Sequence, residues 1–420
     1  MRRPKVVIVG GGFGGLAVAR GLKNADVEIV LIDKTNHHLF QPLLYQVAIA
    51  SLSRGDIATP FREIFRTQSN IRFILDRVEA VDCQQQVVQL INETLSFDFL
   101  VLAPGSRPSF FGHEEWRHHV WSLKNLHDAL GIRDHILHSF ERAERLLPHC
   151  EAQRYLTFVI VGGGPTGVEF AGALAEIARN TIRPDFPLLR DHTIKIILVQ
   201  KESRLLKGFP AQLSEHAKKD LEHLDVTVKL NCVVTDISEH GVQCNDEFIP
   251  TANVIWAAGN EASPLLRTLN MDLDPEGRIS VGQDLSIPKY PSIFVIGDAA
   301  CCLDENGDPL PGLAAVAMQQ GRYVAHLIRH NPSPRSRVPF HYKDRGQMAT
   351  IGKARAVANI KGWNVSGLPA WLLWSVVHVS FLIGFDKIRV IMEWIWFYLT
   401  YKSSERLIDI DFQPKKKDKT

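Results

Sequence analysis

Cysteine is scarce and badly placed for bonding. Six cysteines stand among 420 residues, at 83, 150, 232, 244, 301 and 302. None forms a C-x-x-C pair or a zinc spacing, which excludes a zinc ribbon and a thioredoxin-like redox pair. Cys301 and Cys302 are sequence neighbours, an arrangement that disfavours a disulfide between them, so reduced thiols are expected. Surplus charge is missing too. The 48 basic residues oppose 46 acidic ones for a net charge of +2, without the basic footprint of a nucleic-acid binder. Adjacent His37 and His38 have no partner at metal-ligand spacing, and no metal is expected. Long apolar runs are also lacking. Leu368–Phe385 reaches 18 residues, the lower edge for a membrane span, and contains Pro369, Ser375, His378, Ser380 and Gly384. A pump built from several spans is thereby excluded.

Glycine is plentiful, at 29 residues, and it is patterned. Val6-Val7-Ile8-Val9 leads into Gly10-Gly11-Gly12-Phe13-Gly14-Gly15, and Phe158-Val159-Ile160-Val161 leads into Gly162-Gly163-Gly164-Pro165-Thr166-Gly167. Each is a continuous apolar strand, then G-x-G-x-x-G, then a helical pattern. The glycines permit a tight turn and a close approach of pyrophosphate to the backbone. The helix start supplies unpaired N–H groups and the positive end of its dipole. One such loop holds one dinucleotide, so two imply two. A chain holding two is read as passing electrons between them. The basic start Met1-Arg2-Arg3-Pro4-Lys5 before an apolar run mimics a leader peptide, but glycines at fingerprint positions account for that run.

A chain of this length calls for two or three domains. Strand 5–9, helix 13–24 and strand 27–32 make a βαβ unit ending in Asp33, at the spacing expected of a ribose-binding carboxylate, with Lys34 beside it. Segments 71–75, 78–82, 86–91 and 99–102 read as strands, the last running through Ala103 into Pro104-Gly105. Helix 123–146 bridges toward the second fingerprint. There the order repeats: strand from 157, helix 166–179, strand 194–199 ending at Gln200, and strand 253–258 running through Ala258 into Gly259. Asn180–Thr193, rich in Pro and Asp, reads as an inserted loop. A further apolar strand ends in Gly297-Asp298, followed by a helix from about Gly312 to Leu327. The expected division is therefore 1–120 with 285–345 for a discontinuous first dinucleotide domain, 121–284 for a second dinucleotide domain and 346–420 for a C-terminal region, which further residues assign to FAD, a nicotinamide nucleotide and membrane binding in turn.

Asp298 turns the first ligand from NAD toward FAD. A carboxylate after a buried strand can accept hydrogen bonds from a flavin's ribityl hydroxyls, and the helix dipole that follows can stabilise a reduced, anionic flavin. Glu169, one turn into the second fingerprint helix, lies where an acid can orient a carboxamide or handle a proton. Gln200 is the anomaly. An acid at that strand end bonds the ribose 2′-hydroxyl and repels a 2′-phosphate; neutral Gln removes the repulsion, and Lys201 or Arg204 can pair with phosphate. NADPH is thus expected to be accepted beside NADH. His37–Gln46 holds no cysteine, so electrons leave for an external acceptor rather than a redox disulfide.

The last 55 residues change character. Leu368–Phe385, then Val390–Tyr401 with Trp394, Trp396, Phe397, Tyr398 and Tyr401, flank Asp386-Lys387-Ile388-Arg389, and Lys415-Lys416-Lys417 lies near the end. Aromatic-rich apolar faces with basic flanks suit a hairpin lying in the membrane interface. A membrane surface suggests a lipid-soluble quinone as acceptor.

Together these residues resemble the type II NADH dehydrogenases, single-subunit NADH:quinone oxidoreductases that do not pump protons. The resemblance covers nearly the whole chain. It rests on the first fingerprint, His38-Leu39-Phe40-Gln41-Pro42-Leu43-Leu44-Tyr45-Gln46-Val47-Ala48, Gly162–Glu169, Ile296-Gly297-Asp298, Met348–Gly352 and the Ala370–Trp374 region with His378. It implies an α/β fold of two Rossmann-like dinucleotide-binding domains, glutathione-reductase-like, plus a C-terminal membrane-associating helical segment. It implies non-covalent FAD, hydride transfer from NAD(P)H, two-electron reduction of quinone, a peripheral place on the cytoplasmic face of the cell membrane, and a homodimer. Gln41, Leu43 and Ala315 join the cofactor-binding set on this ground, and Gln319 and Gln320 join Glu169 as catalytic candidates. In the matching quinone-site stretch, Ala314–Gln320, Ala315 stands where the family has glutamine. Two other readings stay open: a sulfide:quinone oxidoreductase using Cys301 and Cys302, and a membrane redox sensor that binds FAD and NAD(P)H without turnover.

Overall fold

The computed structural model describes residues 2–382, 387–400 and 405–408. They fall into two compact units. The first comprises Met1–Leu39, Ala58–Arg107 and Asn260–Lys343; the second comprises Phe40–Ile57, Pro108–Gly259 and Asp344–Thr420.

The first unit is built on a six-stranded sheet ordered Ser286–Ile287, Tyr290–Val295, Phe99–Leu102, Lys5–Val9, Glu28–Asp33, Ile71–Leu75. All neighbours run parallel except the first pair. Ile8 sits at the centre, paired with Leu31 on one side and Val101 on the other. A central parallel strand is covered on both faces, which explains why Val6-Val7-Ile8-Val9 shows no polar alternation. Each such buried Val or Ile contributes about 1.5–3 kcal/mol. Helix Phe13–Gly21 lies against helix Ala314–His330 at a distance that only small residues allow. A Cβ on Gly321 would come 2.4 Å from the Gly14 carbonyl oxygen. The antiparallel strands Val78–Asp82, Val87–Leu90 and Thr94–Ser96 complete the unit's core with the short helix Pro264–Leu269.

The second unit repeats the plan with five strands, ordered Trp121–Ser122, Asn253–Trp256, Thr157–Val161, Lys195–Val199, Val226–Lys229, all parallel. Helix Leu126–Arg145 begins at a capping box formed by Asn125 and Asp128. Helix Pro165–Ile177 packs directly on the antiparallel strand Gln347–Gly352: a Cβ on Gly172 would lie 1.7 Å from the Ile351 carbonyl oxygen.

Two expectations change. Asn180–Thr193 is not a plain loop. The fingerprint helix continues as a π-turn over Ala178–Ile182, and Arg183–Asp185 and Pro187–Leu189 are short helices whose prolines sit at their starts. A missing N–H costs nothing there, so proline starts these turns instead of breaking them. The first fingerprint helix ends at Gly21, before residue 24. The C-terminal stretch forms helices Leu368–Phe381 and Lys387–Thr400. Residues 383–386, Tyr401 and Lys415–Lys417 of the expected hairpin and its basic flank lie outside the described residues.

Candidate functional site

In the first unit the glycine loop makes an open-ended cradle. Gly10 has φ +97°, and a Cβ on it would sit 2.2 Å from the Ala103 carbonyl oxygen. A Cβ on Gly15 would sit 1.9 Å from the Gly10 carbonyl oxygen. These two positions close the turn. Gly12 and Gly105, by contrast, face open space, with nothing within 4 Å of a Cβ. Gly12 caps helix Phe13–Gly21 without a side-chain bond and no acid stands in the first turn, so the helix start remains a donor surface for an anion. At the neighbouring strand end, Asp33 accepts the Gly11 N–H at 2.7 Å and the Thr35 N–H and hydroxyl at 2.8 Å. Lys34 beyond it is exposed. His38 donates from Nδ1 to the Gly11 carbonyl at 3.0 Å and meets the Phe13 ring edge-on at 5.1 Å. Burial pushes its pKa down, so it braces the loop as a neutral ring.

Asp298 stands on the same unit. It accepts the Ser106 hydroxyl at 2.5 Å, and a Cβ on Gly312 would approach its Oδ1 to 3.2 Å. Gln320, buried at 1% exposure, accepts the Gly297 N–H at 2.7 Å and thereby fixes the Gly-Asp turn. Gln319 bonds reciprocally with the Lys343 backbone, Nε2 to the carbonyl and Oε1 from the N–H, each at 3.0 Å. Ala315 lies in the first turn of helix Ala314–His330, which has no side-chain cap and no acid at its start. Burial raises the Cys301 thiol and pushes Cys302 up to about 11, so both stay protonated and unreactive.

The second cradle, in the second unit, has the same construction. Gly162 has φ +114° with a Cβ position 2.7 Å from the Ala257 carbonyl, and the Cβ of Gly167 would meet the Gly162 carbonyl oxygen at 1.9 Å. Gly164 faces open space and caps helix Pro165–Ile177 without a side-chain bond, with Pro165 at its first position and Thr166 exposed beside it. Gln200 replaces the acid: its Oε1 accepts the Gly163 N–H at 2.9 Å. Beyond Ala258, Gly259 takes φ +73° against the Phe111 ring. The Lys201 ammonium stands 5.7 Å over that same ring, while Arg204 donates to the Lys207 carbonyl. Open glycine positions, an uncapped helix start and a polar strand end together fit a dinucleotide in each cradle.

Glu169 faces the interior of the second unit. It is 9% exposed and accepts the Thr350 N–H at 3.3 Å. Burial drives its pKa up to about 8, against the opposing pull of the Thr350 N–H and the Trp374 indole. Trp374 is stacked by His378 at 4.3 Å, and the His378 Nδ1 donates to the Trp374 carbonyl at 2.8 Å. Burial lowers the pKa of His378 to about 4, so the ring is neutral. Nearby segments of the unit carry a second polar chain: Trp394 Nε1 donates to Gln46 Oε1 at 2.8 Å, and Gln46 Nε2 donates to the Tyr45 hydroxyl at 2.9 Å. Gln41 donates to the Lys124 carbonyl at 2.9 Å, and Leu43 is fully buried. The grip of Thr350 on Glu169 and the Gln46–Trp394 bond escape sequence reasoning, although Thr350 and Gln46 both belong to stretches that carry the resemblance. The available signal is a lone Gln within an apolar helix and tryptophans whose single N–H needs an acceptor.

Two like cradles, each at the end of a parallel run of strands, define a pyridine-nucleotide flavoenzyme class, and the family model for pyridine nucleotide-disulphide oxidoreductases matches residues 4–321. The chain is 40% identical to the type II NADH:quinone oxidoreductase Ndh of Mycobacterium tuberculosis, over 97% of this chain and 90% of that protein. Among solved structures, NDH2 from Plasmodium falciparum in complex with NADH superposes with a TM-score of 0.86 at 19% identity, covering 94% of this chain and 98% of that one. The sulfide:quinone oxidoreductase from Aquifex aeolicus shares the fold more distantly, with a TM-score of 0.72 at 19% identity over 90% of each chain. The chain belongs to the type II NADH:quinone oxidoreductase family.

Proposed function

We propose that the chain is an FAD-dependent NAD(P)H:quinone oxidoreductase, oxidising NADH, and NADPH as well, and reducing a membrane quinone by two electrons. The observation that carries this reading is the pair of matching glycine cradles. Bound FAD supplies the capacity to accept a hydride and return two electrons. The first cradle would hold it non-covalently: Gly10, Gly12, Phe13, Gly14 and Gly15 at the phosphates, Asp33 and Lys34 at the ribose, Ala103 and Gly105 beside the loop, Asp298 at the ribityl chain, and Ala315 at the helix start. The second cradle would take the nicotinamide nucleotide through Gly162, Gly164, Pro165, Thr166, Gly167, Ala258 and Gly259. Gln200 selects at the adenosine ribose. Glu169, protonated up to about pH 8, holds a proton close to the reacting end of that nucleotide. Gln320 and Gln319 act as positioning residues, the first through Gly297 and the second through Lys343. Gln41 and Leu43 complete the cofactor-binding set.

The surface fits a membrane. Leu372 and Val376 on one C-terminal helix, and Ile388, Ile391, Met392, Ile395 and Trp396 on the other, are exposed. Among the described residues no helix is long and apolar enough to cross a bilayer. Attachment in the membrane interface accords with that exposure; the cytoplasmic face and a homodimer join the proposal from the family resemblance alone. Stopped-flow absorbance tests the reading: NADH or NADPH should bleach bound flavin, and a ubiquinone or menaquinone analogue should restore it. Bleaching by NADH without recovery would make the protein a sensor, and bleaching by sulfide but not by NADH or NADPH would reassign the donor.

A further inference from the structure

The second unit holds a small, partly open pocket that neither glycine loop lines. Its volume is about 20 Å3, and Tyr45, Gln46, Ser51, Glu169, Glu176 and Thr350 contribute to its wall. That is room for about one water molecule beside several hydroxyl and carboxyl groups. Glu169 and Glu176 share helix Pro165–Ile177. Seven residues bring an α-helix back to nearly the same face, two turns and about 10 Å further along. Glu169 is buried, whereas Glu176 keeps part of its surface exposed. Both are gripped by one neighbouring segment: Thr350 N–H donates to Glu169, and Lys353 N–H donates to Glu176 at 2.6 Å. Gly352 leaves the second carboxyl its room, since a Cβ there would fall 2.7 Å from Glu176 Oε1.

We propose that Glu176 is the outer station of a proton path that crosses this cavity to Glu169, with Tyr45, Ser51 and cavity water between them. The path rests on the reaction given above, NADH + H+ + quinone to NAD+ + quinol. The hydride carries two electrons and one hydrogen nucleus, so the second hydrogen of the quinol comes from water. Glu176 takes it from solvent and passes it inward. Burial raises the Glu176 carboxyl above its ordinary range, while the Lys353 N–H and the charges of Arg355 and Lys353 restrain the rise. Its carboxyl, bonded to one backbone N–H and lining the pocket beside Glu169, can take up a proton and hand it on.

Glu176→Gln keeps the side-chain shape and the acceptor for Lys353. In the variant, flavin bleaching by NADH should stay within about twofold of wild type, while reoxidation by a short-chain ubiquinone analogue slows about tenfold or more and gains a larger solvent deuterium effect. Glu176→Asp should recover part of that rate. Independently of turnover, the infrared carboxylic-acid band of Glu169 should exchange with D2O more slowly in Glu176→Gln. Wild-type exchange in that band overturns the path, whatever happens to turnover. Equal slowing of both half-reactions with normal exchange also overturns it and leaves Glu176 a structural role. If the wild-type protein bleaches with NADH but no quinone restores the colour, the functional reading fails; the exchange measurement still decides the path.

Discussion

Gln200 Oε1 lies 2.9 Å from the Gly163 nitrogen, and this bond is the counterpart of Asp33 on Gly11 in the other unit. The amide therefore keeps the loop-bracing half of the acid's work. Its other atom is an NH2 donor where Asp33 has a second acceptor oxygen. Gln200→Glu should restore repulsion against a 2′-phosphate and lower kcat/KM for NADPH about tenfold or more, with NADH kept or improved. The ratio of the two values, compared between wild type and variant, is the readout. An unchanged ratio removes Gln200 from nucleotide choice.

Glu169 makes a pH prediction whose sign is fixed by its raised pKa. The folded carboxyl holds its proton to about pH 8, whereas an unfolded Glu releases it near 4.5. The stabilisation from the buried neutral acid is complete below the unfolded value and fades as pH rises through the folded one. Melting curves of wild type should drop between those pH values more than those of Glu169→Gln. Turnover should also lose the alkaline limb near pH 8 that protonated Glu169 imposes.

The two cradles should fail separately. Gly15→Ala places a Cβ 1.9 Å from a backbone oxygen in the first loop, and Gly167→Ala does the same in the second. Backbone cannot yield as a side chain does. The first variant should purify with little flavin, read from visible absorbance. The second should keep its flavin yet no longer be bleached by NADH. Flavin loss from Gly167→Ala would contradict the assignment of the loops.

Membrane attachment should scale with the exposed apolar side chains. Each large one inserted in the interface contributes about 1.5 kcal/mol, or roughly a tenfold change in partitioning. Ile391→Asp with Ile395→Asp should release the protein from phospholipid vesicles in flotation assays while NADH still bleaches the flavin. Undiminished vesicle binding would point the apolar faces elsewhere.

The sheets and loops were legible because local rules write them. An apolar strand feeding G-x-G-x-x-G has few alternatives, and the strand-end position singles out Asp33 and Gln200 by spacing alone. Asn180–Thr193 misleads because proline composition signals a break, while position decides whether proline breaks or starts a helix. The surroundings of Glu169 were illegible for another reason. Thr350 lies 181 residues away from it in sequence, and Trp394 lies 348 from Gln46. Such pairings follow from the packing of whole elements, which no local pattern specifies. Gln319 and Gln320 show the converse: their positions follow from resemblance, but that their amides serve Lys343 and Gly297 appears only in three dimensions.

The Gln46–Trp394 bond has a consequence for synthesis. Its donor is made 348 residues after its acceptor. At roughly 5–20 residues per second, the ribosome takes on the order of 20–70 seconds to cover that interval. Throughout it the nascent chain carries a glutamine whose buried place lacks its partner, and this contact cannot close until helix Lys387–Thr400 emerges. Folding of the second unit thus waits on the helix whose exposed side chains are proposed to meet the lipid.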